Sequence, residues 1–183
     1  MDKLTNGSLI EIGYTGTSLL FRPGVLSIRR KIEHDCGTSR AIGYFLEPII
    51  ALAPFAKSDL NLTLTGITND DIDPSVDILR TVSLPLLKRF GVDDSVVLKV
   101  NARGAPPLGG GEVNFQCPVV KALTPLQWGD PGMVKRIRGT VYSTRMSPQT
   151  ANRVVDKARG LLNTFIPDVY IYCDHYKGAE SGK

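Results

Sequence analysis

The chain has 183 residues, of which 42% are hydrophobic and 22% are charged, so it has enough apolar side chains to build a globular core. Its formal net charge of +4 permits a nucleic-acid partner without requiring one. Cys36, Cys117 and Cys173 lie far apart and form no CxxC pair, so neither a zinc site nor a disulfide framework is indicated, and a reducing compartment is expected. No signal segment opens the chain and nothing approaches the roughly 18 apolar residues of a membrane span, which predicts a nuclear or cytoplasmic protein.

A hairpin and a helix are the first predicted elements. Residues 8–13 and 17–22 alternate between apolar and polar side chains on either side of a Thr-Gly turn, which predicts two antiparallel strands. A helix with Thr38 or Ser39 as its N-cap is predicted to run to about Ala53, because its apolar residues recur at helical spacing.

A strand and a second helix come next. Leucines at alternate positions of residues 60–65 predict a strand with one buried face. Asp73 precedes a proline and is predicted to be the N-cap of the second helix, which Gly91 is expected to end. Pro85 lies inside this helix and is expected to make it irregular.

Two further strands, residues 95–101 and 112–119, flank a glycine-rich loop. Helices return between strands over the first 120 residues, and this order predicts an α/β (α+β) fold in which helices pack on one face of a sheet. Residues 123–132 contain the Pro and Gly positions that are typical of a linker, so a second unit is expected to follow.

The second unit is predicted to be a strand, a helix and a strand. Residues 135–145 and 168–173 have the composition of strands, and residues 148–164 form the predicted helix with Ser147 as its N-cap. One helix between two strands cannot close a core by itself. The unit is therefore expected to be cut short or to be completed by another chain.

The glycine-rich loop is the first candidate for a binding site. Gly109, Gly110 and Gly111 leave a row of backbone N–H groups with no side chains in front of them, and glycine reaches positive φ without strain. Arg103 and Gly104 open the loop, and the arginine is expected to set a positive charge on its rim. Such a loop suits an anion, above all phosphate. A hairpin turn between the flanking strands explains the same glycines, and both interpretations stay open.

Basic side chains of the second unit form another candidate site. Lys135, Arg136, Arg138 and Arg145 lie on or near its first strand, and Arg136 and Arg138 share a face because strand side chains alternate. A solvated strand face and a surface that docks RNA or protein are both open interpretations. No aromatic pair has the spacing of an RNA-recognition sheet, and core packing explains the two tyrosines of the second strand at least equally well.

Catalytic and metal sites are only weakly indicated. His34 has acidic neighbours and His175 follows the last strand, but neither has the spacing of a metal or nucleophile site. The sequence contains no Ser/His/Asp order, Walker loop or HExxH pattern. These residues therefore predict no catalytic residue, no metal and no cofactor.

Several motifs resemble those of a known family. One segment of the chain resembles the signature of the RNA 3′-terminal phosphate cyclase family: Arg103-Gly104-Ala105-Pro106-Pro107-Leu108-Gly109-Gly110-Gly111. Two other segments resemble further landmarks of that family: Arg22-Pro23-Gly24 and Gly66-Ile67-Thr68-Asn69-Asp70. Residues 135–183 are similar to the eukaryotic cyclase-like branch of the family. The likeness is strongest in four segments: Arg136-Ile137-Arg138-Gly139, Tyr142-Ser143-Thr144-Arg145, Ser147-Pro148 and Ser181-Gly182-Lys183. In one departure, the family has a Gly-Gly pair where this chain has Val25 and Leu26, followed by the basic residues 29–31.

The resemblance implies a fold and a domain organisation. The family builds a large domain from βαβαββ repeats like the C-terminal domain of translation initiation factor three, and a smaller α/β domain is inserted into it. Residues 1–122 are then expected to be a partial repeat domain, and residues 123–183 part of the insert domain, so that the chain is truncated at both ends relative to the family.

The resemblance also implies a choice of function. Cyclases use ATP to convert a 3′-phosphate into a 2′,3′-cyclic phosphate through a histidine-linked adenylate, and no residue of this chain matches that histidine. The cyclase-like branch acts in nucleolar processing of small-subunit rRNA with a GTPase. We therefore expect a non-catalytic ribosome biogenesis factor in the nucleus. The alternatives are an RNA 3′-terminal phosphate cyclase fragment and a truncated product with little function of its own.

This expectation assigns roles to both candidate sites. The predicted anion or phosphate ligands are Arg22, Arg103, Gly104, Gly109, Gly110 and Gly111. The side chains predicted to dock RNA or a protein partner are Lys135, Arg136, Arg138 and Arg145. The expected partners are a ribosome-assembly GTPase, small nucleolar ribonucleoprotein and pre-rRNA, with no membrane partner.

Overall fold

A computed structural model describes residues 2–27 and 31–176 as a mixed α+β fold, which confirms the predicted class. The strands are β1 (Thr5–Asn6), β2 (Leu9–Ile12), β3 (Leu19–Arg22), β4 (Val25–Leu26), β5 (Ile32–Asp35), β6 (Leu60–Gly66), β7 (Val97–Ala102), β8 (Gly111–Cys117), β9 (Ile137–Thr144) and β10 (Val169–Tyr176). The helices are α1 (Ile42–Leu52), α2 (Val76–Ile78), α3 (Leu84–Arg89) and α4 (Pro148–Leu162). Within the described ranges, no helix is long and apolar enough to cross a membrane.

The largest sheet has the strand order β5-β6-β8-β7. β5 runs parallel to β6, and the other neighbouring strands are antiparallel. Because β7 and β8 are adjacent and antiparallel, the glycine-rich loop is the hairpin connection between them. The pairing of Gly66 with Gly111 places the end of β6 beside the start of β8, so the end of this loop lies against the end of β6.

The core lies on one face of this sheet. β6 alternates between buried and half-buried positions, and Leu60, Leu62 and Leu64 are at most 2% exposed. Leu62 and Leu64 pair with Phe115 and Val113 of β8, which are fully buried. Residues of α1, α2 and α3 belong to the same apolar cluster, as predicted for helices that cover one face. Full burial of one such side chain contributes about 1.5–3 kcal/mol, so this face supplies much of the stability.

The caps of the first two helices differ from the prediction. Ala41, rather than Thr38 or Ser39, is the N-cap of α1, and its amide donates to the Asp73 carboxylate at 2.9 Å. Asp73 is therefore not the N-cap of the second helix. Ser75 has that role, because its hydroxyl accepts a hydrogen bond from an amide in the first turn of α2 at 3.1 Å.

The second predicted helix is irregular, as its proline indicates. A turn of π-helix at Leu79–Ser83 separates α2 from α3, and the Leu84 amide donates to the carbonyl five residues earlier. Pro85 has no N–H group and cannot continue the regular hydrogen-bond pattern at this point. Gly91 follows the end of α3 with φ +89°, which confirms its predicted role.

The second unit consists of β9, α4 and β10. The two strands pair in parallel over their whole length. α4 begins after the predicted N-cap Ser147 and buries Ala151 and Val155. Parallel strands end at the same edge of a sheet, so Tyr142 and Asp174, near the ends of β9 and β10, lie side by side.

The remaining strands include three that the sequence pattern does not predict. β2 and β3 form the predicted hairpin, and the unpredicted two-residue strands β1 and β4 pair with each other. β5 is the third unpredicted strand, and it carries His34, which the sequence places in a loop. The basic residues 29–30 and the C-terminal residues 177–183 lie outside the described residues.

The connection between the two units matches the predicted linker. Residues 118–136 contain no helix or strand, and the predicted linker at residues 123–132 lies within them. The division into domains of residues 1–122 and 123–183 stays a prediction. The same holds for the likeness of the first unit to the repeats of translation initiation factor three.

Candidate functional site

The tip of the glycine-rich loop folds back on itself. The Gly109 amide donates to the Ala105 carbonyl at 2.9 Å and closes a turn. Gly109 and Gly110 have φ values of +72° and +79°, which glycine adopts without the strain that a side chain would introduce. These two glycines therefore make the turn between β7 and β8, which confirms the hairpin interpretation of the loop.

Gly104 and Gly111 allow backbone segments to approach closely. A Cβ atom on Gly104 would lie 2.3 Å from the Gly111 nitrogen and 2.4 Å from the Gly66 carbonyl oxygen. A Cβ atom on Gly111 would lie 2.6 Å from Cγ2 of Thr68. The Thr68 amide donates to the Gly104 carbonyl at 3.0 Å, and the Gly104 amide donates to the Thr68 hydroxyl at 3.2 Å. The loop is thus held against the segment that follows β6.

Arg103 does not lie on the rim of the loop, and that part of the prediction is wrong. Its side chain is fully buried. The guanidinium donates to Asp77 through both terminal nitrogens, with Nη2 2.9 Å from Oδ1, and Nη1 also donates to Asn69 at 3.3 Å. An arginine without partners in the interior would be strongly destabilising, so these contacts are what allow it to be buried.

The same arginine contacts the second unit. Its Nη2 is 2.9 Å from Oδ2 of Asp174, and its guanidinium carbon is 5.0 Å from the centroid of the Tyr142 ring. Burial raises the pKa of Asp77, but the hydrogen bonds and positive charge of Arg103 outweigh this effect, so the pKa of Asp77 lies below its ordinary value. Burial raises the pKa of Tyr142. The cluster is an ion-pair joint between the two units.

These contacts change the predicted anion site. Both terminal nitrogens of Arg103 and the Gly109 amide bond within the chain. Nε of Arg103 has no hydrogen-bond partner among the described residues, but it is buried and is not presented on the surface of the loop. Gly110 is half-buried. Arg22 is exposed on β3, and among residues 2–27 and 31–176 no hydrogen bond or ion pair joins it to the loop. Anion binding at the loop stays a prediction, without Arg103 as a ligand.

Asp77 and Asp174 are the residues of this cluster that sequence reasoning missed. They lie 26 and 71 positions from Arg103, so no local spacing indicates them. Asp77 belongs to a segment predicted as helix. An acidic residue in the first turn of a helix is stabilised by the helix dipole, so its presence there does not indicate a distant ion pair. The one available signal is an arginine within a segment made mostly of glycine and proline, which points to an engaged side chain without naming its partners.

The four predicted docking side chains do not form one patch. Lys135 and Arg136 are exposed in the segment before β9. Arg138, near the start of β9, forms an exposed ion pair with Asp168, with Nη1 2.8 Å from Oδ1. Arg145 follows the other end of β9 with φ +57°. The structure therefore groups three of the four at the start of the strand and separates Arg145 from them.

Tyr170 and Tyr172 are exposed, so the core-packing interpretation of this pair is wrong. The two side chains are 52% and 53% exposed, and their ring centroids are 4.7 Å apart. Ile171 between them is buried, because α4 covers its face of the sheet. The covered face was not predictable from the alternation alone, since β10 carries large side chains on both faces.

The histidines have structural contacts. His34 makes an edge contact with Phe45, with ring centroids 5.8 Å apart. Nδ1 of His175 is 2.9 Å from the Ser143 hydroxyl, and its Nε2 is buried without a hydrogen-bond partner in the described part of the chain. Across residues 2–27 and 31–176, no group of three or more His, Cys, Asp or Glu side chains could hold a metal ion. These contacts assign neither histidine a catalytic role.

The glycine signature and the sheet that it joins point to a class of protein, and comparison with known families identifies it. The family model described as RNA 3′-terminal phosphate cyclase matches residues 1–176. Since the match covers almost the whole chain, this chain belongs to the RNA 3′-terminal phosphate cyclase family. The resemblance seen in the sequence motifs is confirmed.

Similar curated proteins indicate which members of the family this chain resembles. The human RNA 3′-terminal phosphate cyclase-like protein is 59% identical over 184 residues, which cover 100% of this chain and 49% of the human protein. The mouse protein of the same name has the same identity and coverage. An rRNA processing protein of Schizosaccharomyces pombe is 55% identical over 184 residues, which cover 100% of this chain and 50% of that protein. The chain thus spans about half the length of the curated relatives it matches.

Proposed function

We propose that this chain takes part in ribosomal RNA processing and does not catalyse RNA cyclisation. The observation that carries the proposal is its 55% identity, over the whole chain, to a protein described as an rRNA processing protein. Relatives at 59% identity are described as cyclase-like, which supports the same choice. The proposal includes nucleolar processing of the small-subunit precursor as the step in which the protein acts.

The contacts and burial of Arg103, the first residue of the glycine signature, support a non-catalytic role. An arginine that binds a phosphate must present its guanidinium to the ligand. Arg103 instead bonds to Asp77 and Asp174, and its side chain is fully buried. Two carboxylates next to the guanidinium would also repel an incoming phosphate. In this chain the signature acts as a joint between the two units.

Exposed cations support contact with RNA or with a ribonucleoprotein. Lys135, Arg136 and Arg138 lie together before and at the start of β9, and all three are exposed. Cationic side chains bind the phosphate backbone without reading its sequence, in a salt-dependent way. We propose pre-rRNA, small nucleolar ribonucleoprotein and a ribosome-assembly GTPase as partners. Arg145 is included as a docking residue on its charge alone.

The alternative function is ATP-dependent cyclisation of RNA 3′-phosphate ends. The description of the matching family model favours this alternative. Cyclisation through an adenylated histidine would leave a covalent adenylate on the protein, whereas a docking protein leaves none. The two functions therefore differ in a property that can be measured directly.

One preparation of the chain tests both functions. The purified protein is incubated with ATP, Mg²⁺ and a labelled RNA oligonucleotide bearing a 3′-phosphate, and separately with ATP labelled in its α-phosphate. We expect the oligonucleotide to be bound and recovered unchanged, and the protein to stay unlabelled, while an authentic cyclase run alongside gives both products. A 2′,3′-cyclic end or a labelled protein would replace the proposal with the enzymatic alternative.

A further inference from the structure

The sheet of the second unit has one covered face and one open face. α4 covers the face that carries Ile171. Because strand side chains alternate, Tyr170 and Tyr172 lie on the opposite face, where each is about half exposed. Their ring centroids are 4.7 Å apart, and the ring planes meet at 69°. Two adjacent aromatic rings held on a strand offer a surface for flat, partly apolar ligands.

Positive charge lies directly beside these rings. Arg138 is the parallel-strand partner of Tyr170 and therefore shares its face. Hydrogen bonds of 2.8 and 3.2 Å to the Asp168 carboxylate fix its guanidinium, which is still 39% exposed. Lys135 and Arg136 precede it, exposed and without an ion pair among the described residues. Among the described residues, these three cations outnumber the Asp168 carboxylate at this end of the face.

The open face has a limited length. Beyond Tyr172, the next side chain of β10 on this face is Asp174, which bonds to Arg103. Tyr142, the strand partner of Asp174, also contacts Arg103 and is half-buried. The first unit therefore closes one end of the face. The two exposed tyrosines leave room for about two stacked rings, with cations at the other end.

We propose that the open face formed by Tyr170, Tyr172 and Arg138 binds single-stranded RNA by stacking two adjacent bases. The inference rests on the proposed function and assigns a contact surface to it. Aromatic side chains stack unpaired bases with little regard to sequence, and neighbouring cations neutralise the phosphates. A duplex keeps its bases stacked on one another, so its bases are not available to the tyrosines. The exposed cations match the phosphates of a nucleic acid, which carries one negative charge per nucleotide, and this match favours RNA over a protein ligand.

Binding of the full 183-residue chain to a fluorescent oligoribonucleotide tests this surface. Anisotropy is measured with the single strand and with the same strand annealed to its complement, and the single strand is expected to bind more tightly. Tyr170→Ala and Tyr172→Ala are each expected to weaken binding about tenfold. Tyr172→Phe keeps the ring and should bind like the unchanged chain. Tyr14→Ala, which removes a fully exposed tyrosine elsewhere, is the matched control and should have no effect.

Three results would overturn the assignment: equal affinity of the alanine variants and the unchanged chain, equal affinity for duplex and single strand, and absence of single-strand binding. Arg136→Gln is expected to reduce the salt slope of binding by about one, and an unchanged slope would contradict contact between this side chain and a phosphate. All substituted side chains are exposed, and a circular dichroism melt checks that each variant folds. Recovery of rRNA precursors from nuclear extract tests the proposed function separately, because a partner protein can mediate it.

Discussion

Arg103 and Asp174, 71 positions apart in the chain, are joined by a hydrogen bond of 2.9 Å between Nη2 and Oδ2. Arg103 follows β7 in the first unit, and Asp174 lies on β10 of the second. The same guanidinium binds Asp77 in α2. One buried cation therefore fixes the second unit against the first, and the open tyrosine face ends where this contact begins.

Removal of this cation is expected to destabilise the folded chain. Arg103→Met keeps much of the apolar volume but leaves Asp174 without its counter-ion and Asp77 with only the pair to Arg80, 3.3 Å away, which should lower the free energy of unfolding by about 3 kcal/mol. Arg138→Met removes a cation from an exposed pair and serves as the control, with little change expected. Urea unfolding measures both variants. Equal losses in the two would contradict a structural role for the buried joint.

Acid should weaken this joint in a defined pH range. The folded-state pKa of Asp77 lies below its ordinary value, so its ion pair stabilises the fold above the unfolded-state pKa and is lost as the pH falls through the folded-state pKa. The gap in unfolding free energy between the unchanged chain and Asp77→Asn should be constant above about pH 5 and shrink below about pH 4. Urea unfolding at a series of pH values checks this. A gap that stays constant down to the lowest pH would show that Asp77 is not held ionised by Arg103.

The signature glycines are expected to be required for packing. Gly104→Ala should destabilise by about 1–3 kcal/mol, because its Cβ would lie 2.3 Å from the Gly111 nitrogen, which is backbone and cannot turn aside. Gly160→Ala on α4 is the matched control, since nothing lies within 4 Å of its Cβ position. Alanine is favoured over glycine in a helix by about 1 kcal/mol, so this control should be slightly more stable. Thermal melts of equal midpoint would refute the packing role.

Local sequence signals predicted the elements whose causes are local. Ser147 before a proline starts α4, alternating leucines form the buried face of β6, and Gly91 ends α3. Contacts between distant segments were not predictable in this way. Asp73 accepts a hydrogen bond from the amide of Ala41, which lies 32 positions away in the chain. The proline that follows Asp73 is a local signal for a helix N-cap, so the sequence predicted the wrong role for this residue.

The same limit explains why β5 was missed and why the site was revised. β5 has one buried residue, Ile32, and is a strand because it pairs with β6 rather than because of its own pattern. The predicted exposed charge of Arg103 failed because its partners come from α2 and β10. The alternation in β10 showed that Tyr170 and Tyr172 share a face, but the position of α4 decides that this face is open.

A role in rRNA processing is tested by recovering the RNA and protein bound to the tagged chain from nuclear extract and identifying them by sequencing and mass spectrometry. We expect precursors of small-subunit rRNA to be enriched over a tag-only control and a GTPase to be recovered with them. RNA and protein profiles equal to those of the control would contradict a role in rRNA processing.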